Sequence, residues 1–287
     1  MFAEVRRKFP ILLAQVRFEH TIFALPFAYL GMVLAAGGLP TFWQFVWITV
    51  AMAAARTYAM SMNRLLDWRE DRQNPRTRGR PLPQGRLRPR DVLVFSLASL
   101  AVMVFAAAML NPLCVWLSPI AAVVLGGYTL LKRHSWLYHF AIGIGDGGAP
   151  VGGWVAVTGE LAWEPIILGL AVAVWVAGFD LIYTCQDFDF DRSYGTHSLA
   201  SRFGIPAALT VSTWCHVATV ALLGVLGVLM GLGVLYWVGL ALAAGLLIYE
   251  HRLVRADDLS HLNLAFFNVN GYIAVIVFVF TVGGLFI

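Results

Sequence analysis

The lysines and arginines of this chain recur in every second gap between long apolar stretches. Nine such stretches can be read, near 18–37, 42–62, 92–110, 113–131, 137–157, 163–183, 206–230, 232–250 and 264–286. Each is close to the ~20 apolar residues that a helix needs to cross a bilayer. The gaps after the first, third, fifth and seventh stretches are GGLPT, NP, TGELAW and GLG, with no basic residue and only Glu160 and Glu164 as charges. The remaining gaps and the N-terminal segment hold all 20 Lys and Arg except Arg56, which lies late in the second stretch. Nine crossings bring the N-terminus and the basic loops to one side. The positive-inside rule makes that side the cytoplasm and leaves the C-terminus outside. The expected architecture is an all-α, multi-pass protein of the plasma (inner) membrane, with residues 1–287 as one integral-membrane domain.

Composition agrees. The chain is 60% hydrophobic and 13% charged, against roughly 25% charged residues in soluble domains. Arg17, Glu19 and His20 interrupt any leader-type apolar core, so no cleavable leader is expected. Cys114, Cys185 and Cys215 are scattered, without metal or disulfide spacing. His20, His139, His197 and His261 form no recognisable metal set. No nucleic-acid partner is expected, and membrane lipid is.

Two basic-side loops carry related motifs. After the second stretch comes Asn63-Arg-Leu-Leu-Asp67-Trp-Arg-Glu-Asp71-Arg72, and after the sixth Tyr183-Thr-Cys-Gln-Asp187-Phe-Asp-Phe-Asp191-Arg192. Asp67/Asp187, Asp71/Asp191 and Arg72/Arg192 share one offset of 120 residues. Each motif follows the second helix of a four-helix unit, which points to two pseudo-repeated halves plus a ninth helix. Residues four apart share a helix face. Asn63, Asp67 and Asp71 therefore form one polar stripe, and Asp187 and Asp191 another, with Tyr183 in line and Asp180 one turn earlier.

Carboxylates at this density require cations. Oxygen ligands suit Mg2+, which typically binds one or two carboxylates together with substrate phosphates. Arg72, Lys132, Arg133 and Arg192 lie on the same side and suit the remaining phosphate oxygens. The candidate metal residues are Asn63, Asp67, Asp71, Asp187 and Asp191, the four aspartates being also the candidate catalytic residues.

Deeper in the bilayer, Arg56 continues the first stripe. It either pairs with Asp180 or binds a substrate carboxylate. Asp146, in the middle of the fifth stretch, either lines a site or is hydrogen-bonded among packed helices. Intramembrane charges of this kind are costly and mark function. The segment RNPRTRGRPLP cannot form one helix, because of Pro75, Pro81 and Pro83. It reads as a lid over bound diphosphate or as an anchor for anionic lipid.

At these residues the chain resembles the UbiA superfamily of intramembrane aromatic prenyltransferases. The strings that carry the resemblance are ARTYAMSMNRLLDWREDRQNPRTRGRPLPQG and AGFDLIYTCQDFDFDRSYGTHSLASRFG, with RFEHTIFALPFAYLG, YTLLKRHSWLYH, APVGGWVAVTG and NLAFFNVNGY. They run nearly the length of the chain and look closest to the bacterial quinone branch. The resemblance implies a helical bundle around a central cavity capped by the two motif loops. It also implies Mg2+-dependent transfer from a polyprenyl diphosphate to 4-hydroxybenzoate or 1,4-dihydroxy-6-naphthoate, for ubiquinone or menaquinone. Lys132 matches a basic residue expected at the diphosphate, and Arg56 a position implied in binding the aromatic acid. Asp180 and Tyr183 belong to the second string, and Asp146 departs from the expected pattern. Haem-, chlorophyll- or lipid-modifying branches are the alternative within the superfamily. A transporter fits less well, because its site belongs near the midplane. A CDP-alcohol phosphotransferase lacks its DGxxAR lead-in here.

Overall fold

The computed structural model describes residues 2–16 and 21–285. Arg17, Glu19 and His20 lie outside the described residues. The helices are α1 (Phe2–Gln15), α2 (Thr21–Ala36), α3 (Phe42–Asp71), α4 (Pro89–Ala108), α5 (Pro112–Leu131), α6 (Tyr138–Thr158) and α7 (Trp163–Thr184). They are followed by α8 (Phe188–Tyr194), α9 (Leu199–Phe203), α10 (Ile205–Leu229), α11 (Val234–Leu253) and α12 (Asn270–Gly284). A π-helical turn, Leu264–Val269, leads into α12. No strand is formed among the described residues, apart from one isolated bridge between Arg255 and Asp258.

Helices α4, α5, α7, α10 and α11 and the segment Leu264–Gly284 are long and apolar enough to cross a bilayer, so the chain is an integral membrane protein. The other expected crossings fall on α2, α3 and α6. Helix α2 is apolar but has only 16 residues, α3 ends in charge, and α6 carries Asp146 among many glycines. Trp116, Val123 and Val228 are each more than 70% exposed, which is tolerable only where the surrounding solvent is hydrocarbon.

Local signals set the helix ends. Thr41 and Gln44 form a capping box at the start of α3. Asn111 caps α5, with Pro112 in the first turn, where a missing N–H costs nothing. Glycines set the closest packing. A side chain at Gly143 or Gly147 of α6 would strike the α7 carbonyls of Ala173 and Gly169, and one at Gly153 would strike that of Ala28 on α2. This small-residue face lets α6 lie against both neighbours.

Helices α3 and α7, which carry the two motifs at or near their ends, pack on α4 and α10 respectively. The largest apolar core joins α2, α7, α10, α11 and α12 through Leu30, Leu168, Leu226, Leu240 and Val277. Between α3 and α4 the proline-rich segment 72–88 runs as successive turns, as its prolines require. Helix α1 braces it: the Gln15 side chain accepts from the Leu82 N–H at 3.1 Å, and Leu12 packs with Leu82, Leu87 and Val92.

Candidate functional site

The helices enclose a cavity of about 840 Å3 lined by both Asp motifs. Helix α3 extends beyond its apolar stretch and carries Asn63, Asp67 and Asp71 to the basic end of the bundle. Asp67 and Asp71 are 4% and 6% exposed, so their charges need partners. Lys132, at the end of α5, reaches Asp67 Oδ2 at 2.6 Å and Glu70 Oε1 at 2.9 Å. Asn63 donates to Asp67 Oδ2 at 3.2 Å and to Thr129 Oγ1 at 3.0 Å, while Arg64 donates to Asn63 Oδ1 at 2.8 Å. Arg80 donates from one nitrogen to both oxygens of Asp71 at 2.8 Å. Burial pushes the Asp67 carboxyl up to about 6 against the pull of Lys132. Burial opposes the charge of Lys132 too, but Asp67 and Glu70 outweigh it and hold its pKa above the usual value.

The second motif is built differently from the expected stripe. The α7 helix tightens into a 3-10 turn at Cys185–Asp187 and α8 begins at Phe188, so Asp187 and Asp191 do not sit on one continuous helix. Asp187 stands at the junction and Asp191 lies in the short helix beyond. The tighter turn rotates Asp187 relative to a straight α-helix, yet both side chains still line the cavity. Asp187 accepts from Arg76 Nε at 2.9 Å and Asn74 Nδ2 at 3.1 Å, and Arg76 also donates to the Tyr183 hydroxyl at 3.1 Å. Tyr183 stacks on Phe266 with ring centres 4.0 Å apart. Asp191 is 5% exposed.

Two expected basic residues are not at the site. Arg72 is exposed, lies over the Trp68 ring at 5.8 Å and does not line the cavity; Arg192 is also exposed and outside it. They follow the last Asp of each motif by one residue, and one helical step turns a side chain by about 100°, away from the Asp face. Arg133 donates to the Leu66 carbonyl at 2.6 Å. Among the described residues, the cations ion-paired with the motif aspartates are Lys132, Arg76 and Arg80, the last two supplied by the 72–88 segment together with Asn74. Glu70, Asn74, Arg76 and Arg80 were not singled out by spacing. The signal was their position in the first motif string, among many other arginines.

Deeper in the cavity lie Arg56, Asp146 and Asp180. The pairing of Arg56 with Asp180 is not made. Asp180 Oδ2 lies 2.7 Å from His139 Nδ1 instead, while Arg56 Nε is buried with no hydrogen-bond partner. Aromatic side chains of α7 and the α12 entry, including Trp175, Phe179, Phe266 and Phe267, line the apolar part.

Mg2+ is compatible with this donor set in one mode. Among the described residues, no three acidic, His or Cys side chains are gathered closely enough to hold a metal unaided. Carboxylates from both motifs nevertheless line one cavity, and Asp67 Oδ1 is buried without a partner. That arrangement fits a metal shared between one or two carboxylates and the phosphates of a ligand.

Comparison with known proteins matches residues 24–272 to the UbiA prenyltransferase family. A 4-hydroxybenzoate octaprenyltransferase of Cupriavidus necator is 35% identical over 250 residues, covering 86% of each chain. The apo structure of a UbiA homolog from Aeropyrum pernix superimposes with a TM-score of 0.84 at 34% identity, covering 92% of this chain and 97% of that one. A UbiA homolog from Archaeoglobus fulgidus bound to GPP and Mg2+ shares the fold at 18% identity, with a TM-score of 0.74 over 96% of this chain and all of its own.

Proposed function

Since the chain belongs to the UbiA prenyltransferase family, we propose that it moves a polyprenyl group from an allylic diphosphate to the ring of an aromatic acid. The acceptor is 4-hydroxybenzoate or 1,4-dihydroxy-6-naphthoate, in ubiquinone or menaquinone biosynthesis. The observation that carries this reading is a single cavity with a charged end and an apolar, aromatic-lined body, matched to a charged diphosphate and its hydrocarbon tail.

Asp67, Asp71, Asp187 and Asp191, with Asn63, hold Mg2+ together with the diphosphate. When bound, Mg2+ supplies positive charge to the oxygens of the leaving group. Lys132, Arg76 and Arg80 exchange their carboxylate partners for diphosphate oxygens and stabilise the charge that grows as the allylic C–O bond breaks. Segment 72–88 acts as the lid, because two of those cations belong to it. The faces of Tyr183 and Phe266 suit the developing carbocation, and the apolar body of the cavity holds the tail. Arg56, with its unpartnered Nε, takes the acceptor carboxylate, and Asp146 lies beside the ring. The ring then attacks the allylic carbon and loses a proton. The charge distribution supports nine crossings of the plasma (inner) membrane by one domain, with the N-terminus and motif loops cytoplasmic.

The test is incubation of purified protein with a polyprenyl diphosphate, Mg2+ and each acid, followed by mass spectrometry. A prenylated acid is expected. Folded protein that releases no diphosphate with either acid refutes the proposal. Asp67→Ala and Asp191→Ala should each abolish turnover.

A further inference from the structure

We propose that Asp180 receives the ring proton released on prenylation, and that His139 is the residue that positions it. The inference rests on the aromatic-acceptor reading above.

His139, in the first turn of α6, is fully buried. Its two ring nitrogens have different partners. Nε2 accepts from the Leu199 backbone N–H at 3.3 Å. A nitrogen that accepts carries no proton, so in the neutral ring the proton is on Nδ1. Nδ1 therefore donates to Asp180 Oδ2, 2.7 Å away. The ring is also pressed against Tyr138, with centres 4.0 Å apart. These contacts fix both the tautomer and the plane of the imidazole, and through them one oxygen of Asp180.

The other oxygen, Oδ1, has no hydrogen-bond partner among the described residues. Asp180 lines the cavity with its side chain 15% exposed. It precedes Asp187 by seven residues on the α7 side, so it sits roughly 10 Å deeper than the motif. That is the level at which an acceptor ring meets the allylic carbon when the diphosphate occupies the motif end and Arg56 takes the carboxylate.

The neighbouring carboxylates are poorly suited to the task. Asp67, Asp71, Asp187 and Asp191 are the carboxylates assigned above to the metal and diphosphate end, and an adjacent cation lowers the affinity of a carboxylate for a proton. Asp180 is held by a neutral donor. Asp146 also lines the cavity, but no hydrogen bond orients it among the described residues. In the step itself, the ring forms its C–C bond to the allylic carbon as the C–O bond to diphosphate breaks. The electron pair of the ring C–H bond then returns to the ring, and the proton passes to Asp180 Oδ1. Oδ2 keeps its bond from His139 throughout. His139 cannot carry the proton onward, because its Nε2 is committed to Leu199. The proton leaves through the cavity to water with the diphosphate, and no oxidant or reductant is involved.

The experiment uses the full-length protein in detergent with Mg2+, a polyprenyl diphosphate and 4-hydroxybenzoate, either unlabelled or deuterated at the ring positions next to the hydroxyl. Wild type should show an isotope effect on kcat near one, because loss of a proton from the cationic ring is fast. Asp180→Asn keeps the acceptor for His139. It should lower kcat by roughly 100-fold, the lower range for a lost general base. Both KM values should stay within about 3-fold, a primary isotope effect should appear, and more of the tail should be released as prenyl alcohol. His139→Leu should show the same isotope effect with a smaller loss of rate, and His139→Gln, which retains a donor, should recover part of it. The two His139 variants carry the test if Asp180→Asn does not fold. Unchanged kcat, an isotope effect still near one, or a change confined to KM overturns the assignment. If wild type cleaves the diphosphate but prenylates no aromatic acid, the acceptor reading fails and this proposal fails with it. Prenylation with normal kinetics in the variants sinks this proposal alone.

Discussion

Lys132→Met should cost stability in a way that depends on pH. The substitution keeps most of the side-chain volume and removes the one ammonium that serves Asp67 and Glu70, at 2.6 and 2.9 Å. All three side chains are less than 15% exposed, so solvent screens little of the loss. Removing one partner of a buried pair typically costs ~3–5 kcal/mol. Here protonation limits the penalty. Burial already raises Asp67 to about 6, and neutralising such a carboxyl at pH 7.5 costs about 2 kcal/mol. With a smaller contribution from Glu70, the expected loss is about 3 kcal/mol, or roughly 6 °C in Tm for a chain of this size. The sign with pH follows from linkage. Without Lys132 the folded-state pKa of Asp67 rises further above its unfolded value. The folded variant then binds more protons than folded wild type at pH values above 6, so its deficit grows as pH rises. Thermal unfolding in EDTA, read by size-exclusion chromatography at pH 6 and pH 8, should show a Tm gap several degrees wider at pH 8. Equal gaps, or none, would show that Lys132 does not compensate buried charge here.

Arg76→Gln combined with Arg80→Gln should release segment 72–88 from Asp187 and Asp71, making it more sensitive to limited proteolysis without ligand. Unchanged cleavage would mean that other contacts hold the segment. Arg56→Ala should raise KM for the aromatic acid at least 10-fold and leave KM for the prenyl diphosphate within 2-fold, as steady-state kinetics with each substrate varied would reveal. Gly147→Val places methyl groups against the Gly169 carbonyl of α7. Overpacking against backbone should cost at least ~1–3 kcal/mol, measured as lost folded yield or lower Tm, whereas Gly148→Ala, in open space, should be tolerated.

The helical architecture was legible because it depends on properties carried by single residues. Apolar length specifies a crossing, and where Arg and Lys fall specifies which helix ends share a side. Each of the nine apolar stretches accordingly meets a helix, from α2 to α12. The 120-residue offset picked out two motifs that the fold brings to line one cavity. Pairings across the fold were less legible, because they depend on distances that sequence spacing does not encode. The repeated Arg after each motif looked equivalent in register, yet Arg72 and Arg192 turn outward while Arg76 and Arg80 reach back from a turn-rich segment. No periodic rule covers that segment: its prolines exclude a helix without specifying which side chains face inward. Asp180 illustrates the same limit at greater depth. Its place in the second string made it a candidate, and Arg56 was the obvious counterion by charge. The partner it finds is His139, 41 residues earlier, whose orientation is set by a third element, the backbone at Leu199. A histidine on an apolar helix has no distinctive spacing, so only the packing of α6, α7 and α9 brings out the contact. Single-residue properties thus reveal where the charged side chains gather, while their partners emerge only from the packed helices.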